Sequence, residues 1–373
     1  MESIIFSIYT IALIMFTIFS YGYTDPNLTL STNKWFTRIH APLFHLAYSQ
    51  RPVAVSIFLV LFAIIVGTYI YILKNGSHNI RKWILVSVVT LTMSYPVFTY
   101  DLFNYMTTAK VAFHYHENPY VVMPIEIVNE PNLAFTRAAN KYALYGPVWI
   151  ALTAIPNAIG LGNVWLTMLA FKAMNATVYL LFIWGIYTYT KSKRNVLFFA
   201  LNPLVLFEVL SSGHNDIYMM ALALFGLINL WKKDSNARII GWLSFIASWM
   251  IKGVTLALVP LAFLKNLSQE KKFIVAYWIL LLCFFILTPI REELYPWYAV
   301  WLLTIVSLIS LDSNQFIYYF TIVLSVALEL RNIPYMWMGY YEGPGPWLRL
   351  AVTVMPTAVF LCIYGFRRLR KSH

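Results

Sequence analysis

The residues of this chain that could do chemistry sit in four short clusters between long apolar runs. The first opens Tyr100-Asp101-Leu102-Phe103-Asn104-Tyr105, where the third apolar run ends. Asp101, Asn104 and Tyr105 share a helix face at i, i+3, i+4. Asp101 caps the helix that follows, a role that suits Asp, or it takes a proton from a bound hydroxyl as general base. The stretch runs on through His114, His116, Glu117 and Asn118-Pro119-Tyr120 to Tyr145-Gly146-Pro147-Val148-Trp149.

The second cluster is Asn202-Pro203, Glu208 and Gly213-His214-Asn215-Asp216. A tight turn with an Asn or Asp cap accounts for Gly213 and Asp216. It gives no reason for His214 or Glu208. Glu208 lies inside an apolar run, where an ionisable group either meets a polar neighbour or marks a site. The third cluster is Lys252-Gly253, in the middle of the apolar segment 239–264. Lysine at bilayer depth costs about 2.5 kcal/mol or more. It either snorkels to the surface or holds an anion. The fourth is Arg291-Glu292-Glu293-Leu294-Tyr295-Pro296-Trp297-Tyr298, with Trp301 one turn on. Arg291 is a solvated loop charge, a partner of its glutamate neighbours, or an anion ligand. The aromatics are interfacial anchors or platforms for a sugar ring.

Together these groups suit a phosphate carried on a long lipid. Lys252, Arg291 and His214 are the candidate donor-phosphate ligands, Arg offering a bidentate fork. A low-dielectric site strengthens that pairing. As a phosphate leaves, cations there stabilise the developing charge. Asn104, Tyr105, Asn118, Tyr145, Glu208, Asn215, Asp216, Trp297 and Tyr298 are the candidate substrate-binding residues. There is no Gly-rich phosphate loop and no DxD, so a donor already assembled on lipid is expected. No spacing demands a metal or cofactor, although the acidic groups could recruit a divalent cation such as magnesium. Cys283 and Cys362 both lie in apolar runs and read as core or lipid-facing residues rather than a disulfide.

These clusters must be positioned by membrane helices. Of 373 residues, 60% are hydrophobic and 11% charged, and mean hydropathy is +0.67. So few charges cannot cover a soluble surface. The apolar runs are 3–20, 52–73, 83–99, 163–190, 195–211, 217–231, 239–264, 273–290, 297–311, 315–330 and 347–366. They are too long for barrel strands, so the fold is all-α and polytopic. Met1-Glu2-Ser3 lacks a basic n-region, so 3–20 reads as a span rather than a signal peptide.

The net charge of +12 comes from short basic clusters between the runs. They read as cytoplasmic loops, and no nucleic-acid partner is expected. They are Lys74/Arg81/Lys82, Lys191/Lys193/Arg194, Lys232/Lys233/Arg238, Lys265/Lys271/Lys272 and Arg367/Arg368/Arg370/Lys371. The outer loops are then 21–51, 100–162, 212–216, 291–296 and 331–346. Segment 146–160 is too short to cross about 30 Å comfortably and reads as a helix in the outer interface. Segment 239–264 has basic loops at both ends and must return to its own side. It predicts a broken hairpin with Lys252 at the tip. The expected architecture is about ten full spans, that hairpin, and outer juxtamembrane helices, with both termini inside. It forms one membrane domain, 1–373: two spans in 1–82, a core module in 83–290 with outer loop 100–162, and further spans in 291–373.

The stretches at 100–105, 118–120, 145–149, 202–204, 213–216 and 296–298, in that order, resemble the GT-C glycosyltransferases that use polyprenyl-phosphate sugars. The nearest likeness is to bacterial polyprenol-phosphate-mannose-dependent alpha-mannosyltransferases, from about residue 95 to about 305. Lys252-Gly253 also looks like the lysine of that family's broken hairpin. Where many members carry an acidic pair near the base, this chain has Tyr100-Asp101. The resemblance implies an inverting single displacement on the extracytoplasmic face of the plasma membrane, with Asp101 as catalytic base. The expected partners are a polyprenyl-phosphate hexose, most readily mannose, a glycan or lipid-linked acceptor hydroxyl, and membrane lipid. The alternative is a secondary transporter or flippase for a lipid-linked sugar, which intramembrane Lys and Glu and a broken hairpin also suit.

Overall fold

The computed structural model describes residues 1–264, 266–290, 294–340 and 342–371. Among the described residues it is helical throughout, with no strand. The helices are α1 (Glu2–Ser20), α2 (Lys34–Ser49), α3 (Arg51–Asn75), α4 (Ile80–Thr92), α5 (Asp101–Phe113), α6 (Pro147–Gly160), α7 (Val164–Thr190) and α8 (Lys193–Ala200). After them come α9 (Asp216–Leu230), α10 (Ser235–Trp249), α11 (Gln269–Ile290), α12 (Ala299–Val306), α13 (Gln315–Leu330), α14 (Ile333–Met338) and α15 (Gly345–Lys371).

Five stretches are long and apolar enough to cross a membrane: Glu2–Tyr23, Arg51–Asn75, Val164–Thr190, Gln315–Met338 and Gly345–Arg368. The bent pair of α8 and the π-helix Val205–Ser211, kinked by 66°, makes a sixth if counted as one span. The ten-span expectation therefore includes elements shorter than it supposed. The expected span 83–99 is helical only to Thr92, and the chain runs on through Pro96 to reach Asp101. Proline has no N–H to continue a helix and constrains the residue before it. The expected span 297–311 is a 3-10 turn, Pro296–Tyr298, followed by the eight-residue α12.

The middle of the molecule is the segment 195–220, buried at every position. Phe198, Phe199, Leu204, Val205, Leu206, Phe207 and Leu210 have no exposed surface. By contrast, α15 lies on the flank, with Trp347, Val354, Met355 and Phe366 exposed. Large apolar side chains laid along an outer helix face call for an apolar surrounding.

The loops fall into two sets that pair among themselves. At one end Glu2 meets Ser77 at 2.7 Å and Lys82 at 3.5 Å. Arg194 pairs with Asp312, and Tyr189 bonds Gln269 at 2.9 Å. At the other end Asp25 pairs with Arg137 at 2.7 Å, and the Arg51 guanidinium donates to the Met338 carbonyl at 2.6 Å. The stretches read as outer loops thus meet one another, and so do those read as inner loops.

The segment 239–264 does break at Lys252. α10 stops at Trp249, Lys252 takes an extended conformation, and Gly253–Ala262 continues as a 3-10 helix rather than an α-helix. Pro260, inside that arm, cannot donate to a helix ladder.

Candidate functional site

Two polar residues on α7 hold the site from behind. Lys172 and Asn175 lie one turn apart and are both fully buried. Lys172 donates to the carbonyl and hydroxyl of Ser94, and the Ser94 hydroxyl bonds that of Ser211 at 2.8 Å. This ties down the irregular stretch leading to Asp101. Asn175 donates to the carbonyls of Val209 and His214, each at 3.1 Å, and accepts from the Tyr218 hydroxyl at 2.8 Å. One helix face therefore fixes both the approach to Asp101 and the 213–216 turn. Gly213 has φ +80°, and a Cβ there would meet Leu102 Cδ1 at 2.5 Å. Glycine adopts that left-handed backbone without strain.

Asp101 does not cap its helix. It is the first residue of α5, the N-cap is Tyr100, and no side chain caps. The Asp101 N–H donates to Thr99 Oγ1 at 3.0 Å, which leaves the carboxylate free of a capping duty. Its side chain is 24% exposed and sits at a helix N-terminus, where the backbone favours negative charge. Asp101 Oδ2 lies 3.5 Å from His214 Nδ1. On the other side of the ring, His214 Nε2 lies 3.0 Å from Glu208 Oε2. The imidazole is fully buried and stacks on Trp297 with centroids 4.1 Å apart, and Trp297 stacks on Tyr295 at 4.4 Å. His214 was expected as a phosphate ligand, yet both its nitrogens face carboxylates.

Two residues further on, Asp216 opens α9 fully buried. One oxygen meets Lys252 Nζ at 2.7 Å and the other accepts from Trp301 Nε1 at 2.7 Å. The His-Asn-Asp turn is therefore the bridge: His214 reaches Asp101, and Asp216 reaches Lys252. The break at Lys252 is anchored by backbone. The Gly146 and Val148 N–H groups at the start of α6 donate to the Ile251 and Met250 carbonyls at 3.0 and 3.1 Å. The unpaired donors of one helix start meet the unpaired acceptors of another helix end. A Cβ on Gly146 would come within 2.0 Å of the Met250 oxygen.

The remaining expected residues divide. Tyr105 is buried, with its ring edge-on to Tyr145 at 4.7 Å and Trp149 at 5.0 Å. Tyr298 stacks on Trp301 at 4.5 Å, behind Asp216. The Asn215 side chain is buried, and neither its oxygen nor its nitrogen has a hydrogen-bond partner. Asn104, on α5, and Asn118 and Tyr145, in the loops that follow, bond within the segment 100–162. Asn104 Oδ1 accepts from the Ala138 N–H at 3.1 Å, Asn118 Oδ1 from the Tyr120 N–H at 3.0 Å, and the Tyr145 carbonyl from the Tyr120 hydroxyl at 2.8 Å. Arg291 lies outside the described residues. Among the described residues no group of three or more His, Cys, Asp and Glu side chains is placed to hold a metal ion.

The segment 100–162 has its own charged anchor. Glu130 accepts from Lys110 Nζ at 2.6 Å, from the Tyr115 hydroxyl at 2.6 Å and from the Asn132 N–H at 2.8 Å. Burial works to raise its pKa, but these three bonds outweigh burial and hold it below the usual carboxylate range. The bond to Glu130, with some burial, pushes the Tyr115 hydroxyl up to about 12.

Lys172, Asn175, Trp301 and Glu329 complete the surroundings without having been expected as site residues. Glu329 of α13 is fully buried and lies within electrostatic reach of Glu208 and Arg331.

A family model described as alpha-(1->6)-mannopyranosyltransferase, N-terminal domain, matches residues 5–267, well over half of the chain. The chain belongs to this MptA_B family. It is a mannosyltransferase by family and therefore a glycosyltransferase, which decides against the transporter reading. No curated protein and no solved structure matches it. The MptA_B match contains Asp101, Glu208, His214, Asp216 and Lys252, and ends before Trp297, Trp301 and Glu329.

Proposed function

We propose that this chain transfers a mannosyl residue from a polyprenyl-phosphate donor to a hydroxyl of a glycan or lipid-linked acceptor. The transfer takes place on the extracytoplasmic face of the plasma membrane, in a single displacement that inverts the anomeric carbon. The observation that carries this reading is the bridge at 213–216, which links an accessible carboxylate to a lysine at a helix break.

Asp101 takes the acceptor's proton as its oxygen attacks the anomeric carbon. Lys252 receives the donor phosphate. An ammonium has three donors, and Asp216 occupies one at 2.7 Å. Asp216 thus aims the lysine and leaves donors for the phosphate, whose charge grows as the bond to carbon breaks. Arg291 supplies a second cation in this reading. The exposed apolar flanks of α3, α7 and α15 suit a chain that receives its donor from lipid.

The test is purified protein in lipid with polyprenyl-phosphate mannose, polyprenyl-phosphate glucose and nucleotide-linked mannose, each with a panel of acceptors, read by product mass. A product one hexose heavier, from polyprenyl-phosphate mannose alone, is the expected result. Transfer from the nucleotide sugar alone would overturn the donor assignment.

A further inference from the structure

We propose that the groove between α4, α7 and α8 binds an anionic phospholipid of the bilayer. Arg81 and Lys193 hold its phosphate, and its acyl chains lie along Leu85, Val88, Leu180 and Trp184. The groove shares no residue with the site around Asp101 and does not rest on the transfer reaction.

The groove encloses about 930 Å³, at the upper end of the roughly 300–1,000 Å³ of ordinary ligand pockets. Its lining is graded from charged to apolar. On α4, Arg81, Leu85 and Val88 follow at i, i+4 and i+7 and share one face, with the cation in the first turn. From Arg81 to Val88 the helix rises about 10 Å. On α7, Leu180, Trp184 and Tyr187 share a face in the same way, with Tyr187 nearest the helix end. The two helices run in opposite directions. Lys172, early in α7, bonds Ser94 just past the end of α4, while Tyr187, late in α7, shares the groove with Arg81 at the start of α4. Lys193 opens α8 just beyond the end of α7, so the cations gather at one end of an apolar trough. The trough is open on its flank: Leu85 is 63% and Trp184 66% exposed. A charged head above two apolar walls is the shape of a phospholipid.

Charge selects the kind of lipid. Arg81, Lys82 and Lys193 line the groove beside His78, and no described Asp or Glu does. Glu2 approaches Lys82 at 3.5 Å and answers that one cation. Arg81 and Lys193 form no ion pair among the described residues. The first residues of α4 and α8, Ile80 and Lys193, both line the groove, and helix starts favour negative charge. An arginine can grip phosphate with two parallel bonds, and Trp and Tyr settle at headgroup level. A soluble phosphate would leave the apolar walls uncovered. A zwitterionic lipid would bring a further cation to a site short of anions. The loops that supply these cations are among those read as cytoplasmic, where basic pockets between membrane helices suit anionic headgroups.

The experiment titrates the full chain in neutral detergent with dioleoyl phosphatidylglycerol or dioleoyl phosphatidylcholine. Native mass spectrometry reads the bound lipid, and thermal unfolding reads the stabilisation that binding brings. Wild type is expected to retain phosphatidylglycerol, shed phosphatidylcholine, and unfold later with the first only. Arg81→Gln with Lys193→Gln is expected to bind phosphatidylglycerol about 30-fold more weakly. Lys74→Gln with Lys191→Gln removes two cations of the same loops that lie outside the groove, and is expected to bind as wild type. Equal weakening by both pairs would reduce the effect to loop charge and overturn the site, as would equal retention of the two lipids. Glycerophosphoglycerol and inorganic phosphate are expected to leave the unfolding midpoint unmoved. A shift by either that matches phosphatidylglycerol would make the occupant a soluble phosphate and overturn the lipid. Tighter retention of polyprenyl phosphate than of phosphatidylglycerol would overturn the choice of a bilayer lipid. If the double variant does not fold, Lys193→Gln alone decides: a loss of about fivefold is expected, and unchanged binding overturns the proposal.

Discussion

Asp216 holds Lys252 across a helix break, its carboxylate 2.7 Å from the ammonium and wholly buried while the lysine is 18% exposed. The acid is committed and the base still has an open side. Removing either partner leaves a buried charge without its counterion, which costs about 3–5 kcal/mol. Lys252→Met is therefore expected to lower thermal stability and to raise the donor KM. The pair Lys252→Met with Asp216→Asn is expected to recover much of the stability and none of the donor affinity. Recovery of both, read from unfolding curves and donor titrations, would show that the pair is structural only.

Asp101 makes no capping bond, so its carboxylate can be neutralised at little structural cost. Asp101→Asn is expected to leave the unfolding midpoint within a degree or two and to lower kcat by 100-fold or more, on the order of what a general base contributes. Normal turnover by this variant would remove the base.

Gly146 is where the start of α6 passes the break between α10 and Lys252, with no room for a Cβ beside the Met250 carbonyl. Gly146→Ala is expected to cost about 1–3 kcal/mol as the two backbones separate. Because the shift moves Lys252, donor KM should rise along with the loss of stability. A variant with wild-type donor KM would show that the tip is not positioned by this contact.

The Glu130 anchor gives the segment 100–162 a pH dependence. Its folded pKa lies below the unfolded value, so its contribution is present above the ordinary carboxylate range and is lost as pH falls through the lowered folded value. Tyr115 works in the opposite direction: raised to about 12, it contributes below the ordinary tyrosine pKa near 10 and loses that contribution as pH climbs toward 12. Glu130→Gln is expected to flatten the acid side of a stability–pH curve and to weaken the alkaline side. A curve parallel to wild type at low pH would argue against the anchor.

Much of this arrangement was legible in the residues. Apolar runs announce membrane helices, and the break at Lys252 follows from basic loops at both ends of one segment. Asp101, His214, Asp216 and Lys252 were each visible as polar groups where polarity is costly. Their connection was not, because it depends on the turn at Gly213 and on Asn175, which lies inside a span and carries no charge to draw notice. Lys172 and Glu329 did carry that signal, as ionisable residues within apolar runs. Span lengths were the weaker reading, since hydropathy does not record that α4 stops at Thr92, ahead of Pro96, or that α8 stops at Ala200 and a new helical stretch opens at Pro203. Asn104 and Asn118, candidate ligands in sequence, each accept one backbone N–H in the fold, which the sequence does not show.

The ring that covers His214 and the indole that holds Asp216 both come from beyond the boundary of the matched N-terminal domain. The matched region taken alone thus lacks two of the side chains that pack on His214 and Asp216. A fragment cut at that border would keep Asp101, Glu208, His214, Asp216 and Lys252 and lose the aromatic rings that pack on two of them. Grafting the downstream region of one relative onto another should accordingly alter the reaction centre itself, not merely what docks around it.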